Sequence, residues 1–425
     1  MSTSKNEILK IFSFDPTSFA KNLTSSEIVL DFFKVYTHTA DSVVEEIDNY
    51  KIERRKPVSD LYCSILRREW KFPQIVLLQD DYNIYIDNTQ NRLCDYLEQN
   101  KPSQINAIYT SQSLSDRIWD EIIKTGNIKE GETVNFIPTG ILSELAIESL
   151  PCKLGDTMQD HYNIHRFSSY REIKHEPLLC AKSDDCLLVG GLNYGSGNYG
   201  SLRSSMNSVM RGATGIPDLP GTLNEISHIS KLIGSHKVLK GKKGTENNFL
   251  SFDGKSPKLM HIATHGFSKG YAEEEEKRFL YGNRQGRYIS YESRPMYMTG
   301  LYMAPSNDGL PTEGILTSQE ISSMDLSNTK LAVLSACSTG RGEVTDNGVY
   351  GLQRGLKMAG VGALVMTFWD VPDETTTTLM NRFWDFWSTG NYSINQSLNK
   401  AKQELRAKYP HEPYLWNAFV ILDGI

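Results

Sequence analysis

The chain has 425 residues, of which 39% are hydrophobic and 10% aromatic, enough core for one elaborate α/β unit or for two or three domains. A formal charge of -6 gives no global basic footprint, so composition does not support nucleic-acid binding. Six cysteines (Cys63, Cys94, Cys152, Cys180, Cys186, Cys337) without CxxC spacing exclude a disulfide scaffold, and no apolar stretch is long enough to cross a bilayer; with no apolar signal core at the amino terminus, the expected setting is cytoplasmic, with no membrane and no nucleic-acid partner.

Residues 1–73 alternate charged and apolar positions at roughly helical spacing, as from Ser25 to Phe33 with serine as N-cap, so a short helical lead-in is expected. Gln74 to Leu78 and Tyr82 to Ile86, around Asp80-Asp81, have the composition of a hairpin. Helical and strand patterns then alternate. Helices are expected at 114–124, 223–233, 348–360 and 395–408, and strands at 133–138, 258–263, 330–335, 363–369 and 418–422. Such alternation predicts a mostly parallel sheet covered by helices. Two stretches read as long loops: residues 191–221, rich in Gly, Ser and Asn, and residues 267–300, which carry Glu273 to Glu276.

Two apolar runs end in reactive side chains beside small residues, His261-Ile262-Ala263-Thr264-His265-Gly266 and Leu334-Ser335-Ala336-Cys337-Ser338-Thr339-Gly340. In α/β proteins reactive groups gather beyond the carboxyl ends of parallel strands. A thiol needs an imidazole to take its proton, so Cys337 reads as nucleophile and His265 as base. The backbone N–H groups of Gly266 and Cys337 are candidate oxyanion donors. His261 is the rival base, but it falls inside its strand whereas His265 ends it. A zinc site of His261 and His265 lacks further ligands and the HExxH glutamate, so neither metal nor cofactor is expected.

At these residues the chain resembles the CHAT family, caspase-like cysteine peptidases of the clan of caspases and separase. The resemblance rests also on Asn135 to Leu145, Phe167 to Glu172, Leu219 to Ile226, Gly314 to Ile321 and Trp369 to Thr375, in that order. It implies an α/β/α sandwich, a mostly parallel caspase-like sheet flanked by helices, which the short helical N-terminal segment read from the spacing precedes. It further implies a peptidase domain over 74–425, with 74–185 as a non-catalytic half and 186–425 as the catalytic one.

Carried over residue by residue, the base falls on His265 and the nucleophile on Cys337, with no third catalytic residue assigned. Trp369-Asp370 resembles the separase segment that holds the arginine before the scissile bond, implying substrate contacts at both and a preference for Arg or Lys. Asp370 can equally be a turn residue before Pro372 and Trp369 a core aromatic, while Ser335 stands where some basic-specific relatives carry aspartate. By the same resemblance, the expected function is site-specific cleavage of a protein partner in bacterial defence, with a gasdermin-like pore former as one substrate and an activating protein as a further partner. The alternative is a latent scaffold or signalling module that works only once a partner activates it.

Overall fold

The computed structural model describes residues 16–47, 50–68, 70–79, 100–173, 177–181, 183–195, 216–268, 294–306, 314–336, 339–345 and 348–424. The second arm of the expected hairpin, most of the two long loops and Cys337 itself lie outside the described residues.

Five strands form the first sheet: β1 (Glu27–Ile47), β2 (Tyr50–Arg67), β3 (Gln74–Gln79), β4 (Thr133–Ile137) and β5 (Asn163–Arg166), in the order β3-β2-β1-β4-β5. β2 runs antiparallel to β1 and β3, while β1, β4 and β5 are mutually parallel. Over residues 27–67 the expected helical lead-in is corrected to two strands, and among the described residues before β1 Pro16–Ala20 is helical. The physical reason is period and residue type. Ile28, Leu30 and Phe32 share one buried face, and Val29, Phe33 and Val35 favour a pleated surface over a helix. Ser25 does not cap a helix; the Glu27 carboxylate instead accepts from Thr24 N–H at 2.7 Å. Because β3 pairs with β2, the expected boundary at residue 73 falls inside a single sheet.

The second sheet is built from β6 (Asp185–Leu192), β7 (Ser235–Gly241), β8 (Leu259–Ala263), β12 (Leu331–Ser335), β15 (Ala363–Thr367) and β16 (Phe419–Leu422), in the order β16-β15-β12-β8-β6-β7. All neighbours are parallel except β15 and β16. β8, β12 and β15 are buried along their whole length, as continuous apolar runs in a sheet covered on both faces should be. Between β8 and β12 lies a small antiparallel sheet of β9 (Gly266–Ser268), β10 (Thr299–Tyr302) and β11 (Ile315–Thr317). Between β12 and β15 lies a ribbon of β13 (Gly342–Thr345) and β14 (Gly348–Gly351).

That ribbon takes the first part of the expected helix at 348–360; only Leu352–Met358 is helical. Gly351 faces the ribbon so closely that a Cβ there would lie 2.6 Å from Arg341 O, which explains the glycine. The helix Asp373–Trp387 packs between Pro220–Leu232 and Ile394–Lys408, giving the mixed sheets their helical flank. Asp423 N–H donates to Arg166 O at 2.8 Å, so the two sheets meet where β16 passes β5.

Candidate active site

β8 and β12 are adjacent and parallel, with Ala263 opposite Ser335, so the two reactive segments leave the sheet side by side. This is the placement the sequence pattern predicts for a strand-end site.

His265 is 4% exposed, and its Nε2 lies 2.8 Å from Pro217 O. A carbonyl only accepts, so in the neutral ring Nε2 carries the hydrogen and Nδ1 keeps the lone pair. Burial pushes the His265 pKa below the ordinary imidazole value, with the Pro217 carbonyl and the charges of Asp373 and Asp218 pulling the other way. The imidazole is therefore mostly neutral near pH 7. Tyr302 N–H donates to His265 O at 2.9 Å, Thr264 Oγ1 donates to Tyr302 O at 2.5 Å, and the Tyr194 ring lies 5.2 Å from the imidazole. Gly266 pairs with Leu301, and the Tyr302–His265 bond makes this a non-hydrogen-bonded pair. The Gly266 N–H consequently points away from β10, as an oxyanion donor must.

His261 has a different environment. It is fully buried, receives the Trp384 indole N–H on Nδ1 at 3.2 Å, and bonds Glu225 Oε2 through Nε2 at 2.9 Å. Both ring nitrogens are engaged in the core, and His261 and His265 share no partner.

The segment around Cys337 is held from β15 by a residue that sequence reasoning did not single out. Thr367 Oγ1 donates to Ala336 O at 2.6 Å, Thr367 N–H donates to Thr339 Oγ1 at 3.0 Å, and Gly340 N–H donates to Thr367 O at 2.8 Å. One threonine thus grips the chain on both sides of positions 337 and 338. The signal for it was a lone hydroxyl at the end of the apolar run Ala363 to Met366. Pro217, whose carbonyl holds the His265 ring, carried no such signal, because any residue type supplies that oxygen.

Beside these strand ends lies a cavity of about 50 Å³, walled by Ser335, Ala336, Thr367, Trp369 and Asp373 with Glu225 at its back. Ser335 Oγ is buried there without a hydrogen-bond partner among the described residues. Trp369 lines the cavity but is fully buried and donates its indole N–H to Tyr414 O at 2.9 Å. Asp370 is not part of this wall; its backbone N–H and carbonyl pair with the Asn100 side chain at 3.2 and 3.4 Å. Asp373, three residues on, is part of the wall, and its Oδ2 accepts from Gly221 N–H at 2.8 Å. Asp373 also opens the helix Asp373–Trp387. Of the described cysteines, Cys63, Cys152 and Cys186 are buried and Cys180 half-buried, all four with thiols pushed up chiefly by burial, Cys180 to about 11, so none is a ready thiolate.

A family model described as the CHAT domain matches residues 109–424. The chain belongs to the CHAT-domain family. Membership supports a cysteine protease in general. The CHAT-domain chain is also similar to the Arg-specific cysteine proteinase gingipain R, with a TM-score of 0.40 and 10% identity over 74% of this chain and 67% of that one. A complex of Porphyromonas gingivalis RgpB pro- and mature domains gives a TM-score of 0.38 and 10% identity over 78% and 75% of the two chains. The Saccharomyces cerevisiae separase–securin complex gives 0.38 and 14%, over 74% of this chain, which spans 17% of that one. No curated protein sequence matches the chain. Among the described residues no helix is long and apolar enough to cross a membrane.

Proposed function

We propose that this CHAT-domain chain is a cysteine endopeptidase with Cys337 as nucleophile and His265 as base. The observation that carries the reading is His265 itself: a buried imidazole at the end of β8, tied through Nε2 to Pro217 O and beside the strand that leads into Cys337. In the proposed cycle Nδ1 takes the thiol proton, and the thiolate attacks the scissile carbonyl. Negative charge on that oxygen is met by the N–H groups of Gly266 and Cys337. His265 then returns the proton to the leaving amine, and water hydrolyses the thioester.

A basic residue before the scissile bond fits a wall that carries Asp373, with Trp369 behind it; Asp370 stays in the proposal as the carboxylate beside that segment. Cleavage of a protein partner in a defence setting, with a gasdermin-like substrate, rests on the family resemblance alone. A latent state that a partner opens is favoured by two observations, the burial of His265 and the small volume of the cavity, about 50 Å³.

Intact-mass detection of a peptidyl-Arg or peptidyl-Lys ketone adduct tests the reading. The adduct is expected on Cys337, absent in Cys337→Ala, strongly slowed in His265→Ala, and weakened in Asp373→Asn or Asp370→Asn, whichever carboxylate holds the basic group. Adduct formation that ignores His265→Ala would exclude the dyad.

A further inference from the structure

The cavity at the ends of β8 and β12 is acidic at its back and apolar along its sides. Leu219, Trp369, Val371 and Phe419 supply the sides. The polar groups come from three elements: Ser335 from β12, Asp373 from the helix Asp373–Trp387 and Glu225 from the helix Pro220–Leu232. No Lys, Arg or His lines the cavity among the described residues.

Glu225 is the residue whose charge is unaccounted for. Its side chain is fully buried, Oε1 accepts from Thr377 Oγ1 at 3.3 Å, and Oε2 lies 2.9 Å from His261 Nε2. The histidine does not neutralise it. An indole N–H can only donate, and that of Trp384 reaches His261 Nδ1 at 3.2 Å, so Nδ1 keeps its lone pair and the ring is neutral with its hydrogen on Nε2. As a carboxylate, Glu225 is therefore held by two neutral donors, and a buried charge without a counter-charge is costly. Asp373 stands in the same position, its Oδ2 accepting from the backbone N–H of Gly221. Ser335 Oγ, on a residue 4% exposed, has no partner among the described residues.

Three acceptors thus meet one cavity that holds no cation. An occupant that satisfies them donates several hydrogen bonds and carries a positive charge at the end of an apolar stem, which is how lysine and arginine side chains are built.

We propose that Glu225 is the specificity-determining carboxylate of this cavity and receives the ammonium or guanidinium of the substrate residue before the scissile bond, with Ser335 Oγ as a second acceptor. The neutral His261 then orients the carboxylate without cancelling its charge. The proposal rests on the reading of Cys337 and His265 as the dyad, but binding of a cation in the cavity needs neither residue.

The test uses the full chain and peptidyl ketones that differ only in the residue before the ketone: lysine, arginine and their neutral counterparts norleucine and citrulline. Adduct formation on Cys337 is followed by intact mass. Lysine or arginine is expected to react about ten- to hundredfold faster than its neutral counterpart, the worth of one charge-assisted hydrogen bond, and the larger ratio identifies the cation that fits. Glu225→Gln should bring that ratio toward one. Ser335→Ala, which breaks no hydrogen bond of the fold, should lower it about three- to tenfold. Saturation-transfer NMR with n-butylammonium, n-butylguanidinium and n-butanol is the second readout: a cation should bind, the alcohol should not, and Glu225→Gln should abolish the transfer. Charged and neutral ketones that react alike, a preference that survives in folded Glu225→Gln, or cations that bind no better than butanol would each overturn the proposal. If Glu225→Gln does not fold, an unchanged ratio in Ser335→Ala overturns it. Norleucine labelling that ignores His265→Ala, or no labelling of Cys337 by any ketone, removes the dyad and leaves the NMR comparison to decide on the cation site.

Discussion

At the carboxyl end of β5, the Arg166 guanidinium donates to Leu142 O and Leu145 O and to both oxygens of Glu148, with the Phe136 and Phe368 rings 4.8 and 5.2 Å away. At the carboxyl ends of β8 and β12, by contrast, Ser335 Oγ has no partner, His265 has a nitrogen lone pair in reserve, and a cavity separates the strands from Asp373. Both places are the ends of parallel strands. What distinguishes them is satisfaction: one sheet closes its strand ends with a saturated cation, and the other leaves hydrogen-bonding capacity unused. A strand-end position thus becomes a candidate site only where hydrogen-bonding capacity is left over.

Breaking the closed end should give the largest effect. Arg166→Met strands Glu148, 7% exposed, without its cation, and removal of one partner from a buried pair costs about 3–5 kcal/mol. The midpoint of urea unfolding checks this, and a shift worth under about 1 kcal/mol would mean that the turn after β4 is held by something else.

At the open end the corresponding change is Thr367→Val, which keeps the volume and removes the hydroxyl bonded to Ala336 O. The expected stability loss is smaller, about 1–3 kcal/mol, since the buried Ala336 carbonyl is orphaned and the long Thr339 N–H bond at 3.4 Å goes with it. The chemical loss should be the larger one, about ten- to hundredfold in Cys337 alkylation or peptide cleavage, because the nucleophile segment loses its grip on β15. Equal losses at Arg166 and Thr367 in chemistry would erase the distinction between the two ends.

The open end was legible in the sequence as a place, because the apolar runs that end at His265 and before Cys337 are adjacent parallel strands and His261 falls inside its strand; the roles given to these residues stand as the proposal. The closed end was not, since Arg166 works through carbonyls of a turn whose residues could be of any type. The lead-in was misjudged for a related reason. Residues Ser25 to Phe33 offer a helix-like spacing, and only pairing of β1 with β2 and β4, both distant in sequence, selects the strand. β6 escaped notice because Gly190 and Gly191 interrupt its apolar run, although Gly190 is needed where a Cβ would meet Thr222 O at 2.8 Å. Asp373 opens the helix Asp373–Trp387, and that it also walls the cavity depends on where this helix enters the fold.

A smaller effect, again at the closed end, concerns Lys402. It is buried with Nζ bonded to Asn417 Oδ1 at 3.1 Å and Ser149 Oγ at 3.3 Å, and burial lowers its pKa from 10.5 to about 8, against the opposing pull of Glu148 and Asp160. The folded state therefore releases this proton more readily than the unfolded one, so stability should rise as pH climbs from about 8 to 10.5. Lys402→Met should flatten that rise and stabilise the protein at pH 7 by about 1 kcal/mol, as replacing a buried charge with an apolar side chain often does. Thermal unfolding at several pH values checks both, and a destabilised Lys402→Met would show that the two hydrogen bonds outweigh the cost of burying the ammonium.

The smallest effect tests whether the open end carries its own pH signature. Burial lowers the His265 pKa below 6.5, so the unfolded chain binds this proton more tightly than the folded one. The associated stability is complete above 6.5 and declines as pH falls from there toward the folded value. His265→Asn retains a donor for Pro217 O and has nothing to protonate, so its stability should fall less steeply than that of the parent below pH 6.5 while the two curves run parallel above it. Urea unfolding from pH 7 down to pH 5 measures the divergence, expected to be a fraction of the roughly 1.4 kcal/mol that a tenfold difference in proton affinity between the two states would give. Parallel curves throughout would mean that the imidazole titrates alike in both states, and the case for a base kept neutral by burial would fail with them.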